Sequence, residues 1–252
     1  MIIVCAGMFR SGSTWQYQVA CELVRRAGYS AKPLGFLNGS ELAKFLVNPR
    51  DAETYYLYKT HAPDPIHLTL APTEFGVLYS FRDLRDVAYS MAHKLGIDFW
   101  KVVRDHGIID LCIAADGFWK AMPGVLTQRY ESWVSDNFQF VRKIAAHIGT
   151  NLSDSDLAAV AEEFDLGRNR TRTDSLAKQL QAEGVDLSLE ENATRYDSNS
   201  LLHWNHIRTG SVGQWQSVAA PDELEYLSVA CSDWLVAQGY EPNRMWYRRS
   251  AA

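Results

Sequence analysis

The chain has 252 residues, 47% of them apolar, and a formal net charge of −5. That length and apolar content suffice for a single large α/β domain over residues 1–252. No apolar run approaches the roughly 20 residues of a membrane span, and the acidic balance disfavours broad contact with nucleic acid or anionic lipid. Neither membrane nor nucleic acid is therefore an expected partner, although one compact basic pocket for a small anion is compatible with the charge. Cys5, Cys21, Cys112 and Cys231 are scattered, without a Cys-x-x-Cys pair or a His-rich neighbour. They read as small core residues of a reduced, cytoplasmic protein rather than a metal or disulfide framework. The opening residues carry no basic, cleavable leader, so no secretion signal is read.

The first fifteen residues organise the chain. An apolar run of strand length, Met-Ile-Ile-Val-Cys-Ala, feeds Gly7-Met-Phe-Arg10-Ser11-Gly12-Ser13-Thr14-Trp15, and helix-compatible residues follow. This is the layout of a phosphate-binding loop, in which backbone N–H groups and a helix N-terminus point at an anion. Gly7 and Gly12 have the spacing of the ATP-type loop, but Ser13 stands where that loop has its lysine. The lysine reaches the β- and γ-phosphates, so its replacement argues against ordinary ATP or GTP chemistry. The cation has moved to Arg10, inside the loop. The same strand–turn–helix layout also serves a purely structural turn.

In chain order, Ser13 or Thr14 to Ala27 reads as a helix stopped by Gly28, and 30–53 is mixed. Thr54 to Thr60 and Phe75 to Phe81 read as strands. Asp83 offers an N-cap with Asp86 at the capping-box position, opening a helix to about Leu95. Ile97 to Met122 reads as mostly helical, interrupted near Gly107 and Gly117. Val125 to Tyr130 reads as a strand and Ser132 to Ile148 as a helix, and Ser153 caps another through Phe164. Residues 167–220 read as partly helical loop, and Pro221 opens a final helix ending at Gly239. The alternation implies an α/β fold, a doubly wound parallel sheet flanked by helices, with ligands at the carboxyl ends of its strands.

Three stretches at such ends carry chemistry. Lys59-Thr-His61 closes a strand, and residues two apart share a face. A cation beside a histidine lowers the imidazole pKa and keeps it neutral near pH 7, as a general base requires. The plain alternative is a solvated lysine and a histidine bonded to a nearby carbonyl. Arg82 ends a strand just before a capped helix, where its donors can reach an anion, and Ser90 lies on the same helical face as Asp86 and Asp83. An Arg–Asp pair beside a packed serine is the alternative there. Arg208-Thr209-Gly210-Ser-Val-Gly213-Gln-Trp215 makes a flexible, donor-rich turn suited to covering a phosphate, or an ordinary loop. Trp15, Tyr130 and Trp215 are candidates to flank an adenine ring, or core residues.

Together these stretches resemble, in order and in context, the cytosolic-type sulfotransferases that use 3′-phosphoadenosine 5′-phosphosulfate (PAPS). Phe9-Arg-Ser-Gly-Ser-Thr-Trp15 is similar to the family's Pro-Lys-Ser-Gly-Thr-Thr-Trp loop, and Lys59-Thr-His61 to its Lys-Thr-His strand end. Arg82 and Ser90, eight apart, resemble its 3′-phosphate motif, and Tyr130-Glu131 its Tyr-Glu-Asp segment. Arg208 to Trp215 resembles the closing Arg-Lys-Gly-x-x-Gly-Asp-Trp motif. The resemblance implies a P-loop-like sulfotransferase fold, with PAPS as co-substrate, 3′-phosphoadenosine 5′-phosphate (PAP) as product and no metal. It assigns Ser11, Gly12, Ser13 and Thr14 to the 5′-phosphosulfate and Trp15 to the adenine. Arg82, Ser90, Arg208, Thr209 and Gly210 fall at the 3′-phosphate. His61 becomes the general base, with Lys59 and Arg10 on the sulfuryl group and bridging oxygen and Tyr130 beside the base.

The departures are Arg10 for lysine, Thr209 for the lysine of the closing motif, and Gln214 and Gln216 for Asp and Lys. The expected partner is a small-molecule acceptor, a hydroxyl compound with an amine left open, and a homodimer is also left open. Phe36, Phe45, Phe99, Trp100, Phe118 and Trp119 are candidates for an apolar acceptor pocket; Asp98, Arg104, Asp105 and His106 suit a polar or cationic acceptor. The rival readings are a P-loop small-molecule or nucleotide kinase and a non-catalytic nucleotide-binding module. The stretch 167–212 is expected to act in part as a lid over the cofactor.

Overall fold

The computed structural model describes residues 1–70, 74–207 and 209–249. Five strands form one parallel sheet in the order β2-β3-β1-β4-β5: β1 (Ile2–Gly7), β2 (Ser30–Phe36), β3 (Thr54–Thr60), β4 (Phe75–Phe81) and β5 (Leu126–Arg129). The chain fills β2 and β3 on one side of β1, then crosses to β4 and β5 on the other. The carboxyl end of β1 therefore lies at a topological switch point, where open α/β sheets take ligands.

β1, β3 and β4 are buried nearly throughout, as expected of strands covered on both faces. Alternate residues divide between two cores. Val4, Tyr58, Val77 and Tyr79 face one layer, which includes α3 (Leu84–Leu95), α4 (Ile108–Lys120) and α10 (Pro221–Ala237). Ile3, Cys5, Leu57 and Leu78 face the other, with α1 (Ser13–Arg26), α6 (Asn137–Ile148) and α7 (Asp154–Glu163).

Four segments differ from the sequence reading. The mixed stretch 30–53 holds β2 and α2 (Gly39–Leu46); β2 is a largely exposed edge strand with Pro33 beside a register shift, which erases the apolar pattern. The strand that Lys59-Thr-His61 closes is thus the third of the chain. Gly117 interrupts nothing, since α4 runs through it; Gly107, at φ 57°, is the cap before α4. The helix expected over 132–148 is divided, α5 (Tyr130–Ser135) ending at Asp136, whose carboxylate then caps α6. Within the expected loop 167–220 lies a 17-residue helix, α8 (Leu166–Ala182), opened by Asp165, which accepts from the Arg168 N–H at 2.7 Å. Its buried interior positions are Asn169 and Thr173, so it has a polar seam where an apolar stripe is usually sought. A short helix, α9 (Trp215–Val218), precedes α10. Among the described residues no helix is long and apolar enough to cross a membrane.

Candidate active site

The β1–α1 turn is built as the sequence suggests. Gly12, at φ 89°, ends the turn in left-handed geometry, and a Cβ there would lie 2.9 Å from Trp133 Nε1. Only glycine suits both the torsion and the close approach of the indole. The Ser11 hydroxyl sits 2.7 Å from the Met8 carbonyl and 2.9 Å from both the carbonyl and the hydroxyl of Ser80, pinning the loop to β4. Ser11 and Ser13 are buried supports of the loop rather than walls of the adjoining cavity.

That cavity is walled by Gly12, Thr14 and Trp15 from the loop and α1, Arg82 and Ser90 from β4–α3, and Tyr130 and Trp133 from α5. Arg10 and Gly210 also face it. Thr209 does not: it is exposed and bonds Ser211 and Gln214 in its own turn, because Gly210 and not its neighbour points inward. Arg208 lies outside the described residues. Trp215, a candidate for the adenine, is instead a core residue under the Arg85 guanidinium at 4.0 Å. Trp15 is present, but one of its faces is taken by Trp133, with rings parallel within 6° and 4.4 Å apart.

Arg10 is the largest departure from expectation. Its backbone is left-handed at φ 61°, and its Nε donates to the Ser90 hydroxyl at 2.9 Å while Nη2 donates to the His206 carbonyl at 2.7 Å. It therefore joins Ser90 and Arg82 instead of turning toward Lys59 and His61. Burial and the Arg82 charge together lower its pKa to about 10. Arg82 reaches the Asp86 carboxylate at 3.1 Å and the Ser211 carbonyl at 3.0 Å, and lies 4.1 Å over the Tyr130 ring. Asp86 is no capping-box acid: Asp83 alone caps α3, and Asp86 accepts the N–H groups of Gly213 and Trp215 at 2.8 and 3.2 Å. It straps the closing loop to α3. The Tyr130 hydroxyl donates to the Gly210 carbonyl at 3.0 Å. Loop carbonyls of 206, 210 and 211 thus rest on Arg10, Tyr130 and Arg82.

Among the described residues, four buried donors around this cavity have no hydrogen-bond partner: Arg10 Nη1, Arg82 Nε, Thr14 Oγ1 and Trp133 Nε1. Unpaired buried donors are costly, and here two belong to guanidinium groups. The donor set fits a polyanionic ligand.

On the other side of the Phe9–Arg10 turn lies a second, largely apolar cleft, walled by Phe9, Phe36, Met91, Leu95, Ile108 and Leu111. Lys59, His61, Lys94, His106 and His203 bring its charge-bearing groups, and among the described residues no carboxylate lines it. The β1–β3 register pairs Cys5 with Lys59 and Ala6 with Thr60, which leaves His61 beside Gly7. His61 Nδ1 donates to the Gly7 carbonyl at 2.8 Å, a bond that fixes the proton on Nδ1 and the lone pair on Nε2. Nε2 accepts from Lys59 Nζ at 3.0 Å, and the Phe9 ring stacks on the imidazole at 4.6 Å. Burial first, then the Lys59 charge, holds His61 well below the usual imidazole range. Lys59 itself, buried near Lys94 and Arg10, is lowered to about 7. Of the expected acceptor-pocket aromatics only Phe36 lines the cleft; Phe99 and Trp119 are core, and Phe45, Trp100 and Phe118 pack beside it. Of the polar candidates only His106 lines it.

Sequence reasoning missed Lys94, Trp133, His203 and His206. Lys94 was detectable, since it follows Asp86 and Ser90 at two further intervals of four on one helix face. Trp133 lies one turn beyond Tyr130 on α5. The two histidines stand in an irregular loop and carried no signal.

No family model matches the sequence, and no curated protein matches it. Solved structures do. A mouse sulfotransferase, SULT7A1, complexed with PAP matches 99% of this chain and 87% of its own at a TM-score of 0.65 and 16% identity. The fold is that of the sulfotransferases. Retinol dehydratase matches in complexes with retinol and PAP, at a TM-score of 0.59, and with androsterone and PAP, at 0.58. Each of these shows 17% identity and covers 93% of this chain and 80% of that one.

Proposed function

We propose that this protein transfers a sulfuryl group from PAPS to the hydroxyl of a small apolar acceptor. The observation that carries this reading is His61: a neutral imidazole of fixed tautomer in an apolar cleft, stacked on Phe9, whose neighbour Arg10 faces the cavity of unpaired anion donors. Arg82, Ser90 and Arg10 are suited to the 3′-phosphate, Gly12, Thr14 and the α1 N-terminus to the 5′-phosphate side, and Trp15 with Trp133 to the base. Arg10 therefore belongs with the 3′-phosphate group rather than with the transferring one. PAPS supplies an activated sulfuryl group and a stable phosphate leaving group.

Sulfuryl transfer, like phosphoryl transfer, passes through a loose transition state that needs alignment and cations rather than protein nucleophiles. His61 Nε2 takes the acceptor's proton as its oxygen bonds to sulfur. The Lys59 ammonium has three donors, one of them on Nε2, and an anion arriving at the loop attracts it toward the loop and so exposes the lone pair where the acceptor enters. Rival bases are engaged elsewhere, Glu131 accepting from the Asp83 N–H at 3.0 Å and the Tyr240 hydroxyl at 2.8 Å. Asp105 does not line the cleft. With no carboxylate in its wall, the cleft suits a neutral alcohol or phenol better than an amine. Retinol, held by one structural neighbour, is an apolar alcohol of this kind.

The test measures transfer of labelled sulfate from PAPS to a panel of phenols and alcohols, alongside PAP binding. His61→Ala should lower turnover roughly 10²–10⁴-fold, the contribution of a general base, and leave PAP affinity nearly unchanged. A His61→Ala protein that folds, binds PAP and keeps most of its turnover overturns the assignment of the base. Stabilisation by ATP with magnesium equal to that by PAP overturns the reading as a whole.

A further inference from the structure

The cation of the phosphate loop is turned away from the chemistry. Arg10 is held by Ser90 and the His206 carbonyl, on the Arg82 side of the site. The loop therefore brings no cation to the region between Gly12 and His61, and Lys59 is left as the strand's single contribution there. A loose transition state spreads negative charge over the sulfuryl oxygens and the bridging oxygen, and fixed cations at those positions stabilise it.

α3 places a second cation in the His61 cleft. Asp86, Ser90 and Lys94 follow one another at intervals of four, so a single helix face carries the loop strap, the Arg10 partner and then Lys94. Lys94 lines the cleft that also holds Lys59 and His61. The Asn205 side chain donates to the Lys94 carbonyl at 2.8 Å, fastening the last turn of α3 to the loop that carries His203 and His206. Among the described residues no carboxylate pairs with the ammonium; burial and the Arg10 charge lower its pKa to about 8, so it is cationic at neutral pH. Its charge acts on Lys59 and His61, and that of Arg10 acts on it. Lining the same cleft as Lys59 and His61, it stands within electrostatic reach of both the phosphate cluster and the base.

We propose that Lys94 is a catalytic cation for the transferring sulfuryl group, taking the role that Arg10 has left. This rests on the sulfotransferase reading above. In the step it serves, the bond between sulfur and the 5′-phosphate oxygen breaks and its electron pair stays on PAP. A new sulfur–oxygen bond forms to the acceptor, and the acceptor proton goes to His61 Nε2. Lys94 and Lys59 donate to the sulfuryl and bridging oxygens while the charge is spread.

PAP lacks the sulfuryl group, so comparing PAPS with PAP isolates the contact. Calorimetry on wild type, Lys94→Met and Lys94→Arg should show PAP affinity within about twofold throughout. The preference for PAPS over PAP should fall about tenfold or more in Lys94→Met, one hydrogen-bonded charge being worth about that factor or more. Turnover with the fastest phenol should fall about 10–100-fold in Lys94→Met, with KM for the phenol little changed, and Lys94→Arg should recover most of both effects. A Lys94→Met protein with unchanged PAPS preference and turnover overturns the proposal, as does one whose only defect is a raised KM for the acceptor. Failure of wild type to bind PAP at all removes the underlying sulfotransferase reading instead, and the two failures are distinct.

Discussion

Asp86 offers the sharpest test of how the site is held together. Its buried carboxylate accepts from Arg82 at 3.1 Å, from the Gly213 N–H at 2.8 Å and from the Trp215 N–H at 3.2 Å. In Asp86→Asn one amide oxygen can keep at most part of this set, and the amide nitrogen faces a backbone donor. The Arg82 guanidinium, 4% exposed, also loses its counter-charge. Breaking one side of a buried pair costs about 3–5 kcal/mol, which for a chain of this size is roughly 6–20 °C of melting temperature. The readout is a thermal melt with and without saturating PAP, in a buffer free of sulfate and phosphate. If the 3′-phosphate meets Arg82, it supplies the anion that the variant has lost. Asp86→Asn should then gain at least as many degrees from PAP as wild type gains. Adenosine 5′-phosphosulfate, which lacks the 3′-phosphate, should give no such excess. A variant melting within about 2 °C of wild type would show that the strap contributes under about 1 kcal/mol. One that melts low and ignores PAP would separate Arg82 from the 3′-phosphate.

Two pH dependences follow from the cation cluster. For the free enzyme, kcat/KM should hold on the acid side until well below pH 6.5, where His61 protonates, and fall on the alkaline side from about 7 as Lys59 loses its proton. Lys59→Arg should move that alkaline limb up to about 8, where Lys94 loses its proton, and a limb left near 7 would assign it to another group. Without ligand, stability should rise between pH 7 and 9, because the unfolded chain keeps protons on these lysines that the folded protein, with Lys59 at about 7 and Lys94 at about 8, has released. Bound PAPS should flatten that slope by drawing protons back onto both lysines, and a slope indifferent to PAPS would place them away from the ligand.

What could be read from the sequence was whatever is local. The β1 run, the Gly7–Gly12 turn and the start of α1 are encoded within fifteen residues, and Lys59 and His61 share a face because a strand repeats every two residues. The edge strand β2 could not be read, because half-exposed residues and Pro33 leave no alternation. α8 was hidden because its buried seam is Asn169 and Thr173. The aim of Arg10 was beyond reach too: the sequence gives a cation in the loop, but the left-handed backbone at that residue decides which side it faces. Asp86 was misassigned for a related reason. At three residues from Asp83 it fits a capping box, and only the tertiary return of Gly213 and Trp215 shows that it has other partners.

A chain of net charge −5 gathers Arg10, Arg82, Lys59 and Lys94 around one loop, with Asp86, among the described residues, as the one carboxylate bonded into the set. Such clustering opposes folding, since the like charges depress one another and two guanidinium donors go unpaired. It persists because neighbouring structure over-determines it: Ser90 and a backbone carbonyl hold Arg10, Asp86 holds Arg82, and His61 accepts from Lys59. Each of these holding contacts is made with a single hydroxyl, carbonyl, carboxylate or imidazole that a phosphate or sulfuryl oxygen could displace or join. The repulsion is relieved when an anion arrives, so the energy stored in assembling the cluster reappears as affinity for the polyanion. On the proposed reading, the same redistribution of charge draws Lys59 off His61 Nε2, so the imidazole is freed as a base when the sulfuryl donor is present and stays hydrogen-bonded to Lys59 without it.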